Sequence, residues 1–268
     1  MLGSEIHSAT VSGKIARVAL VDEPKIRVIL LDIEGTTTPA KFVYETLFPY
    51  AARTLESFLR EHFQEAEIES VVRDLQTQHQ LDERDGLQPP AWTEQGGELG
   101  LRSAIAYGTW LMARDSKCTP LKALQGRIWQ AGYANGELRG EVYPDVPRAL
   151  ERWRRQARKI CIYSSGSVLA QRLLFSTTTY GDLTAFMAGF FDKRVGAKTA
   201  RESYGRIAAE VGRAAEEFLF ISDAGKEIEA ARAAGMTAML CIRERSAGDG
   251  RSGEGVIHSF DEIFPDSN

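Results

Sequence analysis

The stretch Val28-Ile29-Leu30-Leu31-Asp32-Ile33-Glu34-Gly35-Thr36 decides how the rest of the chain is read. Val28 to Asp32 begins as a continuous apolar run, too short for a helix and without the alternation of a half-exposed strand. That is the pattern of a strand buried on both faces of a parallel sheet. Directly after it, two carboxylates one residue apart leave the sheet edge with a glycine that permits a tight turn. Three apolar runs recur downstream: Ile160 to Tyr163 before Ser-Ser-Gly, Phe218 to Ile221 before Ser-Asp, and Thr237 to Ile242. The first two end in small polar residues and lead into helical periodicity. Strands alternating with helices predict an α/β fold with a parallel, Rossmann-like sheet whose polar strand ends open on one edge.

Between Thr38 and Asp145 the pattern becomes helical, in LFPYAARTLESFLREHF, IESVVRDLQTQHQL, GGELGLRSAIAYGTWLMARD and PLKALQGRIWQAGY. A helical cap is therefore expected at residues 41–144, inserted into a core of residues 26–40 and 145–268. The Pro- and Gly-rich stretch from Gln80 to Gly97 reads as a loop within this insert. Residues 1–25 form a polar extension whose one apolar patch, IARVALV, is compatible with a short helix, a strand or disorder. The Gly-rich segment after Arg243 reads as a mobile link to the end segment VIHSFDEIF.

The chain has 268 residues, 43% hydrophobic and 26% charged, enough to bury a sizeable core and unlike a disordered or fibrous chain. Lys and Arg number 33 against 37 Asp and Glu, a formal charge of -4. That balance argues against a general nucleic-acid or anionic-lipid binder. No apolar run approaches the roughly 18 to 20 residues that span a bilayer. Cys118, Cys161 and Cys241 are odd in number and lack a CxxC pair, which suggests a reduced cytoplasmic setting.

The strand ends carry the chemistry. A fixed Asp32 carboxylate can attack phosphorus and form an aspartyl-phosphate. Glu34, two residues on, is placed to protonate a leaving oxygen and then activate water. Alternatively, Asp32 caps the turn and Glu34 is solvated. Ser164 and Ser165, before the helical SVLAQRLLF, can hold phosphoryl oxygens or simply cap that helix. Asp223 and Glu227 follow another strand, where acidic groups opposite Asp32 suit Mg2+ or decorate a helix start. Lys198 could neutralise charge on a transferring phosphoryl group, although a lone lysine is more often a surface residue. His7, His62, His79 and His258 lie outside every motif. Phe48, Trp110 and Trp129 would either line a pocket or pack between cap helices.

The order DxE-G-T, Ser, Lys, Asp on successive strand tips resembles the haloacid dehalogenase superfamily of Mg2+-dependent phosphotransferases. Glu34 stands where most of that superfamily has Asp. With DIEGTTTP, LKALQGRIW, EVYPDV, IYSSGSVLAQ, GDLTAFMAGFFD and FLFISDAGKEIEAARAAGM, the chain from about Ile26 to Phe264 is similar to the enolase-phosphatases of methionine salvage, also called acireductone synthases. The resemblance implies a bifunctional enzyme that takes 2,3-diketo-5-methylthiopentyl 1-phosphate to the acireductone 1,2-dihydroxy-3-keto-5-methylthiopentene and phosphate, by enolisation and then hydrolysis. It implies Asp32 and Glu34 as catalytic residues, and Ser164, Ser165 and Lys198 as substrate-binding residues. One Mg2+ is implied at Asp32, Glu34 and Asp223. It points to a monomer that binds a small phosphorylated diketone, and neither nucleic acid nor membrane. Two departures stand out: Ser222 precedes Asp223 where the family pattern suggests Thr, and residues 1–25 exceed the usual length. The alternatives are a general sugar-phosphate or phosphoglycolate phosphatase of the same superfamily, and a catalytically silent relative. The second is opposed by the presence of Asp32, Lys198 and Asp223 together.

Overall fold

The computed structural model describes residues 23–93, 97–243 and 255–266. The expectations for IARVALV and for the Gly-rich link at 244–254 fall outside the described residues. The apolar runs form β1 (Val28–Leu31), β2 (Lys159–Tyr163), β4 (Phe218–Ser222) and β5 (Thr237–Cys241), joined by two shorter strands, β3 (Gly189–Phe191) and β6 (Val256–Ile257). All pair in parallel in the order β3-β2-β1-β4-β5-β6. Leu31 lies beside both Ile162 and Ile221, so β1 is central and the chain departs to opposite sides of it. This is a topological switch point, where α/β sheets open a crevice beyond the strand ends.

The period of two explains why these strands are apolar throughout. Ile29, Leu31, Ile160, Ile162, Leu219 and Ile221 enter one core, while Val28, Leu30, Cys161, Tyr163, Phe218 and Phe220 enter the other. The second core is closed by α7 (Arg201–Val211) and α8 (Gly225–Ala233), through Tyr204, Ile207, Ile228 and Ala231. The first is continuous with α5 (Asp145–Arg155), α6 (Val168–Ser176) and the helical insert. Cys161 and Cys241 are free and buried in strands, as their apolar setting predicts.

The insert begins with a π-helical turn, Phe42–Leu47, and continues as α1 (Phe48–His62), α2 (Ala66–Arg84), α3 (Gly97–Ala113) and α4 (Thr119–Ala134). Pro120 sits in the first turn of α4, where no backbone N–H is missed, and Pro49 follows directly on the π-helical turn, where the regular α-helical bonding is already interrupted. Helix α4 packs on α1 and α2 and also on α6, so it links the insert to the sheet layer. The expected loop from Gln80 begins later than the sequence suggested, because α2 runs on to Arg84. Asp82 is the cause: buried, it accepts hydrogen bonds from Gln78 Nε2 at 2.7 Å and Tyr107 Oη at 2.6 Å, which makes a polar turn compatible with the helix interior. Among the described residues no helix is long and apolar enough to cross a membrane.

Candidate active site

Asp32 leaves β1 with its N–H bonded to Ile221 O at 3.0 Å, and the chain then turns sharply. Ile33 O receives the N–H groups of Thr36, Thr37 and Thr38 at 3.1, 3.0 and 2.9 Å, and the Thr37 hydroxyl donates to Asp32 O at 3.0 Å. Gly35 has φ +71°, and a Cβ there would lie 2.2 Å from Asp223 Oδ2, so the turn needs glycine on two counts. That close approach brings the loops after β1 and β4 together. The three threonines that follow Gly35 are fully buried, which is why this polar run reads as motif rather than surface loop.

Lys198 reaches the same point from the loop between β3 and α7. Its carbonyl accepts from Tyr204 Oη at 2.7 Å, and the Ser203 hydroxyl donates to Ala197 O at 2.8 Å, which fixes the loop from the helix side. The ammonium contacts Asp32 Oδ1 and lies 2.6 Å from Glu227 Oε2. Burial pulls this lysine down, but Asp32 and Glu227 more than offset it and its pKa is raised. The Ser222 hydroxyl lies 3.2 Å from Asp32 Oδ2 and 2.8 Å from Glu227 Oε2, and its single proton serves one of them at a time.

Asp223 stays exposed as a residue, yet its carboxyl is pushed up to about 6, first by lost hydration and then by the charge of Asp32. Glu34 is raised as well, by burial first and by Asp32 second, against the pull of Lys198, Lys117 and Lys122. The charge of Glu34 in turn raises the Tyr44 phenol, with burial adding to it. A carboxyl held towards its neutral form can supply a proton.

The segment after β2 is built from the backbone outward. Ser164 N–H donates to Phe191 O at 3.1 Å, Gly166 N–H donates to Ser164 Oγ at 3.1 Å, and Gln171 Nε2 braces Gly166 O and Phe191 O at 2.9 and 2.8 Å. The helix cap itself is Ser167, whose hydroxyl accepts from Ala170 N–H at 3.2 Å. Plain capping therefore accounts for Ser167 and leaves Ser164 and Ser165 unexplained by it.

Ser164, Ser165 and Glu34 line a cavity of about 590 Å³ together with Val43, Leu47, Phe48 and Trp129. Phe48 and Trp129 thus face the cavity, whereas Trp110 stacks on Tyr107 within the insert. Asp32, Lys198 and Asp223 lie outside this lining, at the strand tips. Among the described residues no three His, Cys or carboxylate side chains are arranged to hold a metal ion. Asp32 and Asp223 nevertheless form a pair of hard oxygen donors whose mutual repulsion is visible in the raised Asp223. That excess negative charge suits a divalent cation that keeps most of its other ligands as water or phosphate. Sequence reading did not single out Lys117, Lys122, Lys193 or Tyr44, which join the cavity from three separate segments.

A family model of haloacid dehalogenase-like hydrolases matches residues 26–235, which sets the class. The enolase-phosphatase E1 of Synechococcus elongatus is 42% identical over 238 residues, covering 89% of this chain and 98% of that one. That of Drosophila melanogaster is 41% identical over 237 residues, covering 87% and 91%. The unknown transcript 4 protein of Saccharomyces cerevisiae has a crystal structure similar at TM-score 0.70 and 30% identity, over 88% of this chain and 99% of that one. The HAD phosphatase of Thermococcus onnurineus, at TM-score 0.53 and 17% identity over 89% and 96%, shares the fold. The chain belongs to the enolase-phosphatase family of haloacid dehalogenase-like hydrolases.

Proposed function

We propose that the protein converts 2,3-diketo-5-methylthiopentyl 1-phosphate to the acireductone and phosphate in methionine salvage, by enolisation followed by hydrolysis. The observation that carries the reading is the junction of two environments at Glu34, which lines a largely apolar cavity and lies in the field of the carboxylate and ammonium pair at the strand tips. A phosphate fits the first and a short thioether chain the second. Asp32 attacks phosphorus, and Glu34 gives its proton to the departing oxygen; Glu34 then takes a proton from the water that opens the aspartyl-phosphate. Lys198 holds the phosphoryl oxygens, with Ser164 and Ser165 closing the cradle.

In this reading Asp32 and Asp223 would hold Mg2+, with Glu34 as a third contributor. When bound, the ion supplies positive charge for the phosphoryl oxygens. Residues 41–144 act as a cap over a core of 26–40 and 145–268, closing the cavity against water. The protein is read as a monomer, and as cytoplasmic in keeping with its free cysteines.

The test is phosphate release from the diketo phosphate with Mg2+, for the wild type and Asp32→Asn, while the enol and acireductone absorbances are followed. Mg2+-dependent release through the enol, lost in the variant, is the expected result. Release from simple phosphate esters alone would leave the mechanism and move the protein to a general phosphatase.

A further inference from the structure

The cationic wall of the cavity has no task in the two steps above. Lys122, on the first turn of α4, is half-buried and donates to Ser165 O at 3.2 Å. The charge of Lys193, which follows β3 and lines the same cavity, also acts on it. Lys117, from the segment before α4, adds a third positive charge to the same cavity, paired with Asp115 at 2.5 Å. Among the described residues neither Lys122 nor Lys193 forms an ion pair with a carboxylate. Two ammonium groups brought together repel one another, and an anion placed between them relieves that repulsion.

Their place in the cavity says which anion. Ser164 and Ser165, assigned above to the phosphate, line this cavity together with the apolar Leu47, Phe48 and Trp129. Lys122 lines the cavity with both sets, against Ser165 and in the field of Glu34. A phosphorylated diketone that spans the cavity would bring its carbonyl oxygens to this point.

We propose that Lys122, backed by Lys193, is the oxyanion site of the enolisation step: its ammonium holds the carbonyl oxygen next to the phosphorylated carbon and protonates it as the enolate forms. The inference rests on the enolase-phosphatase reading and assigns it a residue. The C–H bond of the phosphorylated carbon breaks and its proton passes to the Glu34 carboxylate. The C–H electron pair becomes the new carbon–carbon π bond, and the carbonyl π pair moves onto oxygen, which takes a proton from Lys122. The amine is then reprotonated from solvent. Nothing is oxidised or reduced, and Glu34 is left carrying the proton that the departing oxygen needs.

Lost hydration and the charge of Lys193, with Lys117 behind it, pull Lys122 down to about 8, against the opposing pull of Glu34. An ammonium of that acidity is still mostly charged at neutral pH and gives up its proton readily. Enolisation should therefore fall as pH rises through about 8.

The experiment measures enol formation from the diketo phosphate and hydrolysis of p-nitrophenyl phosphate, which has no carbonyl to enolise, in the wild type, Lys122→Met and Lys122→Arg. In Lys122→Met, enolisation is expected to drop roughly 100-fold to 1,000-fold, at least about 30-fold more than aryl phosphate hydrolysis. Lys122→Arg should restore part of it and move the alkaline limb upward, which a merely structural contact with Ser165 would not do. Enolisation in Lys122→Met within about threefold of wild type, or an equal loss of both activities, overturns the assignment. Should that variant fail to fold, Lys193→Met replaces it, with roughly a 10-fold selective loss expected and no selective loss counting against the proposal. A wild type that fails to enolise the diketone removes the functional reading, and this inference with it; a wild type that does so beside an unaffected variant removes this inference alone.

Discussion

Lys198 sits between two carboxylates, on Asp32 Oδ1 and 2.6 Å from Glu227 Oε2, with its side chain only 11% exposed. Because its folded pKa lies above the ordinary 10.5, the stabilisation it gives is fully present below pH 10.5 and is lost as pH rises through the folded value. Removing the ammonium strands the buried Asp32 and the half-buried Glu227 without their cation. Lys198→Met is therefore expected to lose about 3 kcal/mol at pH 7 in urea melts with EDTA present. The deficit should narrow above about pH 10.5, and also in acid as the carboxylates protonate. A second residue-scale expectation concerns Gly35. Gly35→Ala must abandon a positive φ and push a methyl group into Asp223, so phosphate release should fall at least about 100-fold, while Mg2+ titration shows weaker activation. An alanine variant with wild-type Mg2+ dependence would mean that Asp223 can move away without consequence.

At the scale of elements, the loop that carries Asp32 and Glu34 is tied from outside by one arginine. Arg243 Nε and Nη2 donate to Thr36 O at 2.8 and 2.6 Å, and Nη1 to Asp145 Oδ2 at 2.5 Å, while the guanidinium lies 4.4 Å from the rings of Tyr143 and Phe260. Arg243→Met would leave Asp145, among the described residues, with the donors Ser259 Oγ and Phe260 N–H. About 3 kcal/mol of stability should go, and kcat should fall roughly tenfold through misplacement of the loop, as read by urea melts and steady-state phosphate release. Nothing in the sequence marks this arginine, which heads a Gly-rich tract; its partners stand 98 and 207 residues away. The contrast with β1, β2, β4 and β5 is physical. Strands buried on both faces must be apolar at every position, so Val28 to Leu31 and Phe218 to Ile221 announce themselves locally. Gly189–Phe191 and Val256–Ile257 are too short to hold a pattern and take their conformation from a neighbour already in place. The site divides in the same way. Asp32, Glu34, Ser164, Ser165 and Asp223 follow strand runs and are legible from them. Lys117, Lys122, Lys193 and Tyr44 meet only through the packing of α4 on α6 and the π-helical turn, which no local spacing encodes.

For the whole molecule, the segment from Gly255 to Asp266 closes the core that the sheet and the helical insert share. Ile257, Phe260, Ile263 and Phe264 are buried, and the Phe260 ring centroid lies 5.3 Å from that of Trp153 on α5. Arg152 is buried beside them and donates to Phe260 O, Ile263 O and Phe264 O at 2.7, 3.1 and 3.1 Å, while Trp153 Nε1 donates to Ile263 O at 3.1 Å. Burial of four such side chains contributes roughly 6 to 12 kcal/mol, comparable to the roughly 5 to 15 kcal/mol that holds a typical domain together. Deleting residues 255–268 also leaves a buried guanidinium without its carbonyl acceptors, a further penalty that water can relieve only by entering the core. The truncated chain is expected to show no cooperative thermal transition in calorimetry and to appear in the insoluble fraction, although every proposed catalytic residue remains. Phe260→Ala in the full chain separates packing from backbone acceptors: it should keep a single transition, destabilised by about 3 to 5 kcal/mol, because the carbonyls that receive Arg152 are still present. A truncation that melted cooperatively near the wild-type temperature would instead show that α5 and the sheet bury their apolar faces without this segment.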